Sequence, residues 1–230
     1  MHRNLIILIL ITASIKVMAQ DNKTIMDWAN LNKYSKENES LNAPLKGEKR
    51  VVFMGNSITE FWKVSDSSFF SNKSYINRGI SGQTTPQMLV RFRPDVINLK
   101  PAAVVILAGI NDIAENTGPI TLETVFGNIV SMAELAKANN IKVILSSVLP
   151  ALDFPWRPGL QPANKIIRLN SMIKNYCSQN KIIYVDYFSK MVDNQNGLRK
   201  DLSEDGVHPT IAGYKVMEPL VVAAIKLATK

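Results

Sequence analysis

Short apolar runs rich in Val and Ile alternate with longer segments of helical periodicity along most of this chain, and this alternation limits the folds it can adopt. Five runs predict strands: VVFM (51–54), SYIN (74–77), AVVILA (103–108), KVILSSV (142–148) and IIYVD (182–186). Runs this short, with little polar alternation, are typical of strands buried on both faces of a parallel sheet.

The segments between these runs have apolar residues at helical spacing. Helices are predicted over 121–140, over 163–180 and from Pro209 to the end of the chain, with Pro209 suited to a first helical turn. The segment 85–100 predicts two helical pieces broken near Pro94. Strands that alternate with helices predict the α/β class, here a three-layer α/β/α sandwich of flavodoxin-like type with a parallel sheet of about five strands.

The first residues have the features of an export signal. His2 and Arg3 precede an apolar run over residues 5–11, and Val17 and Ala19 stand at the −3 and −1 positions of a predicted cut after Ala19. The run is shorter than the ~20 residues that span a bilayer. We therefore predict a cleaved signal peptide over 1–19, a single domain over 20–230 and export to the periplasm or the exterior, with no stable membrane span after cleavage. An uncleaved anchor is the alternative.

The charge distribution argues against a nucleic-acid partner. The whole chain has a net charge of +8, and removal of Arg3 and Lys16 with the signal peptide leaves 25 basic and 19 acidic residues, a net charge of +6. The lysines are scattered and form no basic-aromatic stripe. Cys177 is the only cysteine, so the chain has no internal disulfide, and its amphipathic surroundings predict a buried structural thiol.

The number of histidines limits the kinds of catalytic and metal site that the chain can form. The chain has two histidines, and His2 lies in the predicted signal peptide, which leaves His208 alone in the mature protein. A site built from two or three imidazoles, such as a zinc hydrolase centre, is thereby excluded unless carboxylates supply the ligands. Any mechanism with a histidine base must use His208.

Four polar motifs follow the predicted strands or fall near the end of the chain. They read GNS (55–57), NRGISG (77–82), GIND (109–112) and DGVHP (205–209). Because the carboxyl ends of parallel strands meet at one edge of a sheet, we expect these motifs to lie together. Each motif alone is also compatible with ordinary turn chemistry.

Together the motifs contain the groups that acyl transfer requires. Ser57 can act as nucleophile, His208 as base and Asp205 as the group that orients the base. The backbone N–H groups of Ser57 and Gly79 and the side-chain amide of Asn111 can donate to an oxyanion.

The blocks GNSIT, NRGISG, GIND and DGVHP, in this order, resemble those of the SGNH hydrolases, also called the GDSL esterase/lipase family. The resemblance implies a Ser57–His208–Asp205 triad, an oxyanion hole of Ser57, Gly79 and Asn111, and an α/β/α sandwich with no metal or organic cofactor. One residue departs from the family pattern. Asn56 stands where the first block usually has Asp, a change that affects loop electrostatics more than the triad.

The predicted export and the loops resemble exported bacterial members that remove acetyl groups from carbohydrates, which implies a small-molecule or glycan ester as substrate. Arg78, Trp156 and Arg157 are candidate substrate contacts, although packing for the Trp and a structural ion pair for Arg78 are equally compatible. The alternatives are a lipolytic acylhydrolase of lysophospholipase or thioesterase type, and a catalytically inactive glycan-binding module. The sequence indicates neither the identity of the ester nor an oligomeric state.

Overall fold

A five-stranded parallel sheet forms the centre of the protein. The computed structural model describes residues 27–71 and 74–230, so the predicted signal peptide lies outside the described residues. The strand order is β2-β1-β3-β4-β5, which confirms the predicted α/β fold. The strands are β1 (Val51–Gly55), β2 (Tyr75–Gly79), β3 (Ala103–Leu107), β4 (Lys142–Ser146) and β5 (Ile183–Val185).

The central strands are apolar because helices cover both faces of the sheet. Every residue of β1 and of β3 is buried, and the two strands pair in register from Val51 opposite Ala103 to Gly55 opposite Leu107. The register brings the carboxyl ends of β1, β2 and β3 to one edge of the sheet. That edge carries the motifs that the sequence singled out.

The helices that surround the sheet follow the predicted alternation. They are α1 (Ser35–Ser40), α2 (Ser57–Ser65), α3 (Ser67–Ser71), α4 (Thr85–Asp95), α5 (Ile110–Ile113), α6 (Leu122–Ala138), α7 (Ala163–Asn180), α8 (Phe188–Met191) and α9 (Ile211–Ala228). A 3₁₀ turn, Ile97–Leu99, follows α4. In the part of the chain that is described, no helix is both long and apolar enough to cross a bilayer.

The structure refines one helix prediction and corrects another. The segment 85–100 forms two helical pieces as predicted, but the break lies at Val96. Helix α4 continues through Pro94 to Asp95, because the proline lies in the last turn and the carbonyl that it leaves without a partner belongs to Val90, whose side chain is exposed. Pro209 does not begin the last helix. It precedes Thr210, the N-cap of α9.

Residues 27–40, here called the N-terminal strap, cross the edge of the sheet near the second motif. The Gln83 side chain donates to the carbonyl of Ala29 at 2.7 Å, and the Gln87 side chain donates to the carbonyl of Trp28 at 2.7 Å. The Tyr34 hydroxyl donates to the carbonyl of Gly79. The strap therefore fixes the loop that follows β2 from outside the sheet.

Candidate active site

The first motif forms a tight corner between β1 and α2. Asn56 caps the helix, with its side-chain oxygen accepting from the N–H of Ile58 at 3.1 Å. A Cβ at Gly55 would lie 2.0 Å from Thr59 Oγ1, so only glycine fits between the strand and the first helical turn. The corner places Ser57, a residue that is 6% exposed, in the first turn of α2, with its hydroxyl close to the positive end of the helix dipole.

Ser57, His208 and Asp205 form a continuous hydrogen-bonded line. Ser57 Oγ lies 2.9 Å from His208 Nε2, and His208 Nδ1 lies 2.6 Å from Asp205 Oδ2. These distances match the contacts between a nucleophile, a base and the group that orients the base. The structure therefore brings together three residues that are separated by up to 151 positions in the sequence.

The loop that carries His208 is fixed by its own backbone. The other oxygen of Asp205 accepts from the N–H groups of His208 at 2.7 Å and Val207 at 2.9 Å, and Gly206 allows the turn with φ +78°. Burial of Asp205 opposes its ionisation, but the hydrogen bonds from the His208 ring and the two N–H groups outweigh burial and hold the pKa of the carboxyl below its usual range. A charged Asp205 is suited to hold the imidazole in one orientation.

The sequence analysis missed two residues that support the site, one within this loop and one between α9 and the corner that carries Ser57. The Ser203 hydroxyl donates to the carbonyl of His208 at 2.8 Å. The Tyr214 hydroxyl, on α9, donates to the carbonyl of Ile58 on α2 at 2.9 Å. The first contact closes the loop on itself, whereas the second joins segments that are 156 positions apart, and no local sequence pattern signals the second.

Asn111 lies at the site, and Gly79 does not have the predicted role. The Asn111 amide donates to the carbonyl of Gln83 at 2.9 Å, which leaves its second N–H for another acceptor. The prediction for Gly79 is wrong, because its N–H donates to Asn77 Oδ1 at 2.9 Å. Gly82, three residues further on, lines the cleft instead, with φ +77°.

A cleft of about 280 Å³ surrounds Ser57 and His208. Its other lining residues are Phe61, Ser81, Gly82, Asn111, Asn116 and Trp156.

Two aromatic rings flank the histidine in this cleft. The centroids of Phe61 and Trp156 lie 5.4 and 6.0 Å from that of His208. Asn116 connects the two walls, since its side-chain oxygen accepts from Trp156 Nε1 at 3.0 Å and its amide donates to the carbonyl of Gly82 at 3.2 Å. The prediction that Trp156 faces the site agrees with this placement.

The two arginines proposed as substrate contacts have other partners. Arg78 is fully buried and donates to the side chains of Asn38 and Glu37, each at 2.9 Å, so the predicted substrate role of Arg78 is wrong. Arg157 donates to the carbonyl and the carboxylate of Glu115, both at 2.8 Å. It is not among the residues that line the cleft.

Asp112, next to Asn111, is a further buried group that the sequence analysis did not assign. Its carboxyl accepts from the Thr85 N–H at 2.9 Å and from the Thr85 hydroxyl at 2.6 Å, at the start of α4. Burial raises the pKa of Asp112 to about 6 in spite of these bonds. Over residues 27–71 and 74–230, no cluster of three or more His, Cys, Asp or Glu side chains is arranged to hold a metal ion.

Comparison with known proteins identifies the family. Residues 53–216 match the model of the GDSL-like lipase/acylhydrolase family. Esterase TesA of Pseudomonas aeruginosa is 30% identical over 170 residues, which cover 72% of this chain and 78% of that protein.

Solved structures agree with this match. A GDSL-like lipase from Bacteroides thetaiotaomicron is 55% identical with a TM-score of 0.85, covering 87% of this chain and 98% of that one. An acylhydrolase candidate from Bacteroides fragilis is also 55% identical, with a TM-score of 0.87, covering 89% and 99%. An acetylxylan esterase from Geobacillus stearothermophilus, 19% identical with a TM-score of 0.60 over 77% of this chain and 94% of that one, shares the fold. The chain belongs to the GDSL-like lipase/acylhydrolase family and is an ester hydrolase.

Proposed function

We propose that this protein is an exported serine esterase that removes O-acyl groups, O-acetyl above all, from carbohydrates through an acyl-enzyme on Ser57. The observation that carries the catalytic part is the line from Ser57 through His208 to Asp205, with contacts of 2.9 and 2.6 Å. The aromatic rings of Phe61 and Trp156 beside His208 support a carbohydrate as the alcohol half of the ester.

In the proposed mechanism, Ser57 Oγ attacks the ester carbonyl carbon while His208 Nε2 accepts the serine proton. The charge that develops on the carbonyl oxygen is stabilised by the N–H groups of Ser57 and Gly82 and by the Asn111 amide. The first N–H groups of a helix have no acceptor within it, which suits Ser57 to this role.

Collapse of the tetrahedral intermediate breaks the bond to the alcohol oxygen, and His208 donates its proton to that oxygen. Water then attacks the acyl-enzyme with His208 as base, which releases the acid and restores Ser57. Throughout both steps Asp205 stays ionised and stabilises the imidazolium.

The alcohol half of the ester must lie beside His208, because that residue protonates the leaving oxygen. It therefore lies next to Phe61 and Trp156, which are 39% and 45% exposed. Half-exposed aromatic faces suit the apolar faces of sugar rings. The acyl half is left with the side that Ser81, Gly82 and Asn116 form. These residues are small or polar, which favours acetyl over a long apolar chain.

Fluorophosphonate labelling tests the nucleophile. The wild type should be labelled and Ser57→Ala should not, whereas Ser81→Ala, which removes the other serine of the cleft, should still be labelled. A wild type that is not labelled would favour an inactive binding module.

A series of aryl esters of increasing chain length tests the acyl preference. We expect the best turnover with acetate and a sharp loss beyond butyrate, and an optimum near octanoate or longer would instead support a lipolytic acylhydrolase. For the alcohol, Trp156→Ala should raise KM for acetylated xylooligosaccharides more than for aryl acetate. Trp28→Ala is the matched control, since Trp28 is 47% exposed and belongs to the N-terminal strap. Equal effects of both substitutions would contradict a sugar contact by Trp156.

The proposal of export rests on the signal-like segment over residues 1–19. Amino-terminal sequencing of the protein recovered outside the cytoplasm of an expressing bacterium should begin at Gln20. Recovery of the intact amino terminus with the cell membrane would instead favour an uncleaved anchor.

A further inference from the structure

Arg91, on α4, lies behind the candidate site and connects its two halves. Its side chain is fully buried, and its guanidinium donates in three directions. Nε donates to Gln83 Oε1, Nη1 to Asp95 Oδ2 at 2.9 Å and Nη2 to the carbonyl of Gly55 at 2.9 Å. One rigid planar group thus joins a strand end, a loop and its own helix.

Two of these contacts, those with Gly55 and Gln83, each lead to a group of the proposed reaction. Gly55 is the last residue of β1 and stands two positions before Ser57. Gln83 directly follows Gly82, and its backbone carbonyl accepts from the Asn111 amide at 2.9 Å. The guanidinium of Arg91 therefore connects the corner that carries Ser57 with the loop that carries the proposed oxyanion donors.

The cation is held in place by partners on its far side. Asp95 pairs with Arg91, and its other oxygen accepts from Asn38 of the N-terminal strap at 2.7 Å. A buried ion pair of this kind is weak evidence for stability, because desolvation offsets much of the attraction. The geometric effect of Arg91 is clearer, because the planar guanidinium has N–H donors in fixed directions and holds several acceptors at set distances.

We propose that Arg91 is a positioning residue of the hydrolase, which sets the distance between Ser57 and the oxyanion donors Gly82 and Asn111 through its contacts with Gly55 and Gln83. The inference rests on the proposed function, because it assigns those residues their roles.

Arg91→Lys tests the inference, because an ammonium cannot donate to all three partners in their present directions. We expect kcat for aryl acetate to fall by about 10- to 100-fold, the range for a misplaced or weakened oxyanion donor, with KM within about threefold of the wild type. Arg50→Lys is the matched control. Arg50 is also buried and donates to the carbonyls of Leu99 and Asn42 at 3.0 and 2.9 Å, but it precedes β1 and lies at the opposite end of that strand. This variant should lower Tm without loss of kcat.

The decisive comparison repeats Arg91→Lys in an Asn111→Ala background. If Arg91 acts in part through the Asn111 amide, its penalty should be at least about threefold smaller once that amide is absent, while the part that acts through Gly82 remains. The same penalty in both backgrounds, or an equal loss of kcat in Arg50→Lys, overturns the inference. Should near-UV circular dichroism show that Arg91→Lys is unfolded, Gln83→Met replaces it in both backgrounds, since it removes the contact between Arg91 and the loop together with the bond from Gln83 to the carbonyl of Ala29.

Hydrolysis of aryl acetate by Ser57→Ala tests the proposed function separately from the role of Arg91. If Ser57→Ala hydrolyses aryl acetate at the wild-type rate, the assignment of the nucleophile is wrong. If Ser57→Ala is inactive and the Arg91 penalty is unaffected by Asn111, the proposed function stands and the positioning role does not.

Discussion

Gly79→Ala should disable the enzyme although Gly79 donates nothing to the cleft. A Cβ at this position would lie 2.2 Å from the backbone N of Glu60, 2.7 Å from the carbonyl carbon of Thr59 and 2.8 Å from the carbonyl oxygen of Asn56. All three atoms belong to the backbone at the start of α2, so no change of side-chain rotamer removes the overlap. Strand β2 or helix α2 must move by more than 1 Å to reach the ordinary contact distance of 3.4 Å.

That movement acts on the proposed nucleophile, because Ser57 lies in the same helical turn. Its hydroxyl is 2.9 Å from His208 Nε2, and a misplacement of about 1 Å typically costs about 100-fold in rate. Overpacking of this kind costs about 1–3 kcal/mol of stability, which lowers Tm by roughly 3–10 °C in a domain of this size. We therefore expect Gly79→Ala to lose about 100-fold in kcat/KM and to remain folded below its lowered Tm.

The assay combines aryl acetate hydrolysis with thermal unfolding followed by circular dichroism. Gly127→Ala is the control, because Gly127 lies inside α6 with open space around its Cβ position. It should keep wild-type activity and gain about 0.5–1 kcal/mol. A Gly79→Ala protein with wild-type kcat/KM and Tm would refute the argument that close backbone packing at Gly79 positions Ser57.

Three further outcomes follow from single contacts. Asn56→Asp should retain esterase activity and gain about 0.3–1 kcal/mol in the free energy of unfolding, because a carboxylate at the N-cap of α2 interacts favourably with the helix dipole. Ester hydrolysis and Tm are the measurements, and complete loss of activity in a folded variant would contradict this expectation. Hydrogen bonds from Lys215 and Ser68 hold the pKa of Asp66 well below its usual range, so Asp66→Asn should lower Tm at neutral pH. The difference from the wild type should shrink as pH falls below about 4, since a carboxyl with a depressed pKa contributes stability above its unfolded pKa and loses it in acid; a difference independent of pH would exclude the ion pair as its cause. Burial raises the pKa of Cys177 to about 12, so iodoacetamide near pH 8 should label no thiol in the folded protein and one after denaturation, and labelling of the native protein would show that the thiol is accessible.

The fold was predictable from the sequence because the periodicity that predicts each element is local. The strands from Val51 to Gly55 and from Ala103 to Leu107 are continuous apolar runs, and they are buried on both faces. Prediction was less accurate where the effect of a residue on a helix depends on its position in that helix. Pro94 is a helix breaker in general, but in the last turn of α4 it removes a single hydrogen bond.

The line of Ser57, His208 and Asp205 was predictable as well, since few residue types can act as base and the chain offers one histidine beyond position 2. The choice between Gly79 and Gly82 was not. The predicted strand ended at 77, whereas β2 continues to Gly79 and pairs with Gly55, which keeps Gly79 in the sheet and places Gly82 in the loop.

Arg78 shows why long-range partners escape such reasoning. Its position beside a motif glycine suggested a cation that faces the substrate. Its partners are Glu37 and Asn38, which are 41 and 40 positions away in the N-terminal strap. No pattern near Arg78 indicates that this strap returns to cover it, and the same holds for the contacts of Arg91 with Gly55 and Gln83.

The placement of His208 between two aromatic rings makes this imidazole a spectroscopic probe of its own site. The sequence has one other histidine, His2, so in the chain proposed to be cut after Ala19 one pair of ring-proton resonances in a nuclear magnetic resonance spectrum reports on the proposed base without assignment by mutagenesis. The ring currents of Phe61 and Trp156, at 5.4 and 6.0 Å, should displace these resonances from their values in an unfolded chain. A sugar that enters beside Trp156 would change that displacement, so binding and protonation can be followed together in the unmodified enzyme.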